Sequence, residues 1–340
     1  MSDTATNPIL PGDDRAGVPR PVERRRWLPR SFVWYATAAL FLLSWVIEPG
    51  SVSSVSINAM LPFAGILAIA AVGQTLVIMQ RGIDLSVPGM MTLAGLAVSE
   101  YSSAHGDNVV AAILIVLAIA VAVGLVNGLV IGFLTVTPLV ATLAMNAILI
   151  GAAIAYSGGT PSRTPRGLSD FALDKTLGVS HAVWLALAFV AVVALVISRT
   201  VWGRRFVTAG ASFQAARAAG VRVELARLSA YVAGAVCYAV AGMVLAGYLS
   251  TPNITMGDSY LLPSVAAVVV GGTALTGGRG NVVGTAVAAL FLTQLTQLVL
   301  SMGAPTSTQL VIQSAVIAIA AAVQARKGAA LLGLLRVRAA

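Results

Sequence analysis

The sequence predicts an all-α polytopic membrane protein of about ten transmembrane helices with both termini on the cytoplasmic side. Three observations predict it. Hydrophobic residues make up 58% of the 340 and charged residues only 10%, with a mean hydropathy of +0.91. A soluble globule carries about 25% charged residues, so this chain has too little polar surface to be a soluble enzyme or a disordered protein. Apolar runs of membrane-crossing length recur along it. Its basic residues gather in the gaps between those runs rather than on a nucleic-acid-binding face.

Taken in order, residues 1–30 are polar and rich in Pro and Arg, and read as a flexible cytoplasmic tail. The run 31–47 follows. The small-residue pattern of a cleaved signal peptide is not evident after it, so it reads as a retained first helix. Further runs lie near 57–79, 86–99, 109–134, 138–156, 179–198, 228–249, 260–275, 281–301 and 308–324. A bilayer core of about 30 Å takes about 20 residues per helix. The runs 86–99 and 260–275 fall short of that, and are expected to be tilted, re-entrant or broken. With the N-terminus inside, all the basic residues except Arg163, Arg166 and Lys175 fall in cytoplasmic segments, as the positive-inside rule requires. The expected organisation is a tail at 1–30, a transmembrane domain at 31–325 with a long cytoplasmic loop at 199–227, and a basic cytoplasmic tail at 326–340.

Several chemistries are missing. There is no G-x-x-x-x-G-K-[ST] loop, and the lysines, Lys175 and Lys327, do not follow one. His105 and His181 lack metal-ligand spacing, and no G-x-S-x-G elbow occurs. The stretch Gly278 to Gly284 is one residue too long for a dinucleotide fingerprint and lacks a βαβ setting. Cys237, the lone cysteine, cannot form an intramolecular disulfide. No catalytic residue and no metal site is expected. The scarcity of ionisable groups within the runs points to transport instead.

The loop 199–227 is the most informative segment. Ser212 can cap a short helix and Gly220 can end it. Between them lie Phe213, Gln214, Ala215, Ala216, Arg217, Ala218 and Ala219, small residues that allow another surface to approach. Two readings stay open on these residues alone: a juxtamembrane helix resting on anionic lipid, or a docking helix for a cytoplasmic partner.

Four stretches in order carry a resemblance: Arg81 to Val87 (RGIDLSV), Thr137 to Leu143 with Ser157-Gly158-Gly159, the loop Gly203 to Val221, and Ala266 to Gly284 with its VGGT and GGRG pieces. Over residues 55–325 or so, the chain resembles the permease subunits of binding-protein-dependent ABC importers of the ribose, xylose and galactose type. The resemblance implies that Ala215, Ala216 and Gly220, with Ser212 and Arg217 beside them, form the coupling helix that seats on an ATPase subunit. It also implies a second permease copy, identical or closely related, and an extracytoplasmic solute-binding protein. Such systems reside in the bacterial inner membrane. This chain would bind no cofactor, ATP and Mg²⁺ being used by the partner ATPase. The chain departs from the family at Arg81, where Gly is usual, at Pro88, which intervenes before Gly89, and at Ser212, where Asn is common.

The polar groups inside the runs complete the expectation. Asp84 is a charge at the membrane edge, able to pair with Arg81 or, like Ser86, to cap the next helix. Gln74, Asp84, Ser86, Asn127, Thr142 and Asn146 are candidate pathway residues, with Gln294 and Gln297 as further polar groups in spans. Each is also a candidate interhelical hydrogen-bonding group, because a lone polar group in the membrane costs several kcal/mol. Gly124, Gly128 and Gly132 form two overlapping G-x-x-x-G steps suited to close helix packing. The unit from Leu61-Pro62 to Gly89 is echoed from Leu262-Pro263 to Gly284, a possible internal repeat. Arg163 and Arg166, in the outer loop 157–178, are candidates for docking the binding protein. The expected cargo is a small neutral solute, a monosaccharide or related polyol, since no charged span residue stands ready as a counter-charge. The alternatives are a branched-chain amino acid or nucleoside ABC permease, or an ion-coupled secondary carrier, which usually places an acid or a Na⁺ site at mid-membrane.

Overall fold

The structure is a computed structural model and describes residues 32–322 apart from 161, 306, 317, 320 and 321. Both expected tails, 1–30 and 326–340, lie outside the described residues. Each expected run contains helix. The helices are α1 (Phe32–Ile47), α2 (Ser54–Met79), α3 (Val87–Ala104), α4 (Val109–Gly132), α5 (Pro138–Ser157), α6 (Arg166–Leu173), α7 (His181–Arg199), α8 (Val201–Ala211), α9 (Phe213–Ala218), α10 (Val223–Leu249), α11 (Leu261–Val270) and α12 (Val282–Ser301). Residues 307–316 are helical as well. A two-residue antiparallel pair, β1 (Lys175–Thr176) and β2 (Val179–Ser180), is the one sheet among the described residues. The chain is an all-α polytopic membrane protein in which α2, α4, α5, α7, α10 and α12 are long and apolar enough to cross a bilayer.

Sequence explains which helices go inside. From Ala64 to Met79, α2 is buried at every residue, and it is apolar nearly all round, as a helix surrounded by protein must be. It packs against α7, α10, α11 and α12, while α10 also packs against α3 and α4. By contrast α4, α5 and α7 present Leu114, Leu125, Leu143, Ile148, Leu187 and Leu195 outward, the pattern of lipid-facing or partner-facing helices. The glycines of α4 allow its close approach to α10. A Cβ at Gly124 would collide with the backbone of Tyr231 and Val232, and one at Gly128 with Leu228. Gly132 has only the Glu224 carbonyl near, at 3.6 Å, so the first G-x-x-x-G step is used and the second is not.

The two short runs resolve differently. The first becomes α3, an 18-residue helix buried from Val87 to Ser99 and entered by the non-helical stretch 82–86. The second is broken: α11 has 10 residues, and a non-helical stretch, 271–281, separates it from α12.

Candidate functional site

A buried polar network surrounds the entry to α3. The Asp84 Oδ1 accepts the Ser86 backbone N–H at 2.8 Å and the Ser86 hydroxyl at 2.5 Å. From α5, Thr142 Oγ1 accepts the Leu85 N–H at 2.9 Å and donates to its own helix at Pro138 O. Asn146 Oδ1 accepts the Gly89 N–H at 2.8 Å. From α4, Asn127 Nδ2 donates to Ser86 Oγ at 3.4 Å. The first turn of a helix leaves backbone N–H groups without helical partners. Here Pro88 removes one, and Asn146 on a different helix satisfies another. Ser86 stands at the N-cap position yet makes no capping bond of its own. The expected cap is thus supplied by α5.

The network corrects the expectation that Arg81 pairs with Asp84. Among the described residues no cation pairs with Asp84, and Arg81 turns away from it. Arg81 Nε donates to Gly210 O at 2.8 Å, and its Nη2 donates to Ala211 O. These carbonyls end α8, where cationic donors are favoured. The backbone allows the turn because Arg81 has φ +63°, reversing the chain at the end of α2.

A second cluster lies around α9. Its N-cap Ser212 accepts the Ala215 N–H at 3.3 Å. Its C-terminus closes with Gly220 N–H on Arg217 O and Val221 N–H on Ala216 O, both 2.9 Å. This is a Schellman closure on Gly220, whose φ is +75°. The start signal at Ser212 and the stop signal at Gly220 read from the sequence are therefore both used. Ala216 is fully buried beneath α9, among Met79, Phe206, Val223 and Ala226. Gln214, Ala215, Arg217 and Ala218 are exposed. Arg217 pairs with Glu224 at the start of α10. Phe213 lies under two guanidinium groups, with Arg81 Cζ at 4.8 Å and Arg227 Cζ at 4.7 Å from its ring centre. The stretch after α11 joins the same cluster through Gly278 N–H on Met79 O, 2.9 Å, and Gln80 Nε2 bonds Phe206 O at 2.8 Å. Gly210 is required here, since a Cβ would strike the Met79 carbonyl.

A capped helix of small residues, offered to solvent on one side and rooted in a polytopic bundle, matches a transport-system permease. Residues 56–321 match the family model described as the branched-chain amino acid transport system / permease component. The chain belongs to that family. It is 30% identical over 310 residues to the ribose import permease protein of Escherichia coli strain K12, covering 89% of this chain and 96% of the relative. It is 31% identical over 267 residues to the autoinducer 2 import system permease protein of Salmonella paratyphi B, covering 76% and 77%. No solved structure matches the chain.

At the opposite end of the permease, the outer loop read from the sequence contains α6 and the β1–β2 hairpin. Arg163 and Arg166 are both exposed there. The loop is fixed by Thr164, whose N–H bonds Ser250 O and whose hydroxyl bonds Ala246 O, each at 2.9 Å. Nearby, Ser54, Asn58, Lys175, Ser180 and Tyr248 line part of a cavity of about 410 Å³.

The structure gathers Asp84, Ser86, Asn127, Thr142 and Asn146 of the permease into one network, but not Gln74. Its Oε1 instead accepts the Tyr238 hydroxyl at 2.8 Å, between α2 and α10. Gln294 is buried with neither amide atom bonded among the described residues. Gln297 lies near its own helix end, bonding Ser301 at 3.4 Å. Sequence reading missed α8, Gln80 and Arg227, and placed Phe213 on the short helix without its two guanidinium contacts. The only available signal was the Trp202, Phe206, Ala209 spacing, which places one apolar face on α8.

Proposed function

We propose that this permease is the membrane subunit of an ATP-driven importer whose cargo is a small neutral solute of monosaccharide type. One observation carries the reading: α9 is anchored by Phe213 and Ala216 and offers Gln214, Ala215, Arg217 and Ala218 outward. Such a surface suits a groove in a separate ATPase, with the α9 end facing the cytoplasm. A second copy of the chain would complete the pathway, with α5 lining it. An extracytoplasmic binding protein would deliver the solute to the face bearing Arg163, Arg166 and the outer cavity.

The cargo class rests on two supports. The relatives named above, matched over most of their length, are a ribose import permease and an autoinducer 2 import system permease. Asp84 is also the one acidic residue buried as a whole among the described residues, and Ser86 bonds its Oδ1 twice; with Glu100 Oε1, near the end of α3, as the other buried carboxylate oxygen, a charged solute would find few counter-charges. Although the family description names branched-chain amino acids, a zwitterion would need such a group.

Purification of the permease from its host in mild detergent, with mass spectrometry, tests the reading. A stoichiometric P-loop ATPase is expected. Ala215→Glu, at an exposed site, should lower ATPase retention roughly tenfold or more while the chain stays folded. Full retention in that variant overturns the role of α9. Recovery of the wild-type chain alone, beside an intact control complex, favours an ion-coupled carrier. Ala216→Trp would not discriminate, because a buried alanine has no room for an indole.

A further inference from the structure

We propose that Phe213 is a positioning residue through which movement of α9 reaches the buried segment 82–89, with Arg81 and Arg227 as its two arms. The proposal rests on the reading that α9 meets an ATPase.

The geometry forms a closed circuit. On one side, the Arg81 guanidinium lies over the Phe213 ring and bonds the carbonyls of Gly210 and Ala211. The Arg81 backbone then leads directly into Gly82 and on to Asp84 and Ser86. On the other side, the Arg227 guanidinium lies over the same ring and reaches Ile131 O at 3.4 Å, near the end of α4. One turn back along α4 is Asn127, which bonds Ser86 Oγ. Both arms leaving Phe213 therefore arrive at Ser86.

The chemistry suits a linkage better than a simple anchor. Phe213 is only partly buried, so apolar burial alone does not account for two cations converging on it. Neither cation has a carboxylate over the ring. Glu224, three residues before Arg227 on α10, is bonded to Arg217. Attraction between guanidinium and the ring face holds both contacts on the one ring.

The experiment uses the permease purified with its ATPase and reconstituted in liposomes. A spin label is placed at Leu143→Cys, an exposed position on α5 beside Thr142. The native thiol, Cys237, is buried and stays unlabelled. Label mobility is compared without nucleotide and after trapping with ATP and vanadate. In the parent, trapping is expected to change the spectrum. Phe213→Leu keeps apolar volume but removes the ring face; the label response, measured per retained ATPase, should fall roughly tenfold. Phe213→Trp should restore the response, and Arg81→Gln should lower it as Leu does.

An unchanged response in Phe213→Leu overturns the proposal. Loss of the ATPase from Phe213→Leu also overturns it, by making the ring a docking or folding element. If the parent permease brings no ATPase, the importer reading fails first, and the linkage falls with it.

Discussion

Two helix entries in this molecule begin alike and are secured differently. The entry to α3, at 80–89, is held from outside: by Thr142 and Asn146 of α5, Asn127 of α4 and, through Gln80 and Arg81, by α8. The entry to α12, at 271–284, is held largely by itself. Asn281 Nδ2 bonds Gly271 O at 2.9 Å, its Oδ1 caps Gly284 N–H at 3.0 Å, and its own N–H bonds Thr273 Oγ1 at 3.0 Å. The Ala274 N–H closes on Arg279 O at 3.2 Å. The two meet at Gly278 N–H on Met79 O. A self-closed turn keeps its shape when its neighbours shift, whereas a turn held by three other helices moves with them. Both units run helix, turn and helix, but they are restrained differently.

Three substitutions break or sharpen this contrast. Gly210→Val should have the largest effect, because it places a branched side chain against the Met79 carbonyl where the two turns join. Loss of the assembled fold is expected, read as rapid proteolysis between α8 and α10. Asp84→Ala leaves the Ser86 N–H and hydroxyl without their acceptor in a buried site. At about 1–3 kcal/mol for each stranded group, about 3 kcal/mol of stability should be lost, measured by SDS titration in mixed micelles. Hydrogen exchange should rise at Leu85 and Gly89, whose acceptors sit on α5. Asn281→Ala removes one cap and should cost about 1 kcal/mol, with faster exchange confined to Gly284 and its neighbours. If exchange in that variant spreads to Leu85 and Gly89, the contrast between the two turns is wrong.

Legibility followed the range of each interaction. The short helix at 213–218 was readable because Ser212 and Gly220 act within a few residues. The contact of α4 with α10 was half readable, because glycine spacing marks a face without naming what lies over it. The turn of Arg81 away from Asp84 was hidden. In sequence the acid is three residues off, while the carbonyls it chooses are 129 and 130 residues away. On a helix of six residues, spacing could not tell the outward Ala215 from the buried Ala216. The start of α10 was placed at 228 rather than 223, because hydropathy registers the apolar core and passes over polar turns such as Glu224 to Arg227 that continue the same helix.

Those polar turns set a height. At 27 residues, α10 is about 40 Å long, against a hydrocarbon core of about 30 Å. Standing upright, it would carry about 10 Å of helix past the acyl chains, and Glu224 and Arg227, which hold α9, lie on its first two turns. Where that excess falls at its first turns, α9 is in effect mounted on a post that clears the apolar layer. Tilt shortens the post's projection and a thinner bilayer lengthens it. Membrane thickness thereby sets how far α9 stands out from the lipid.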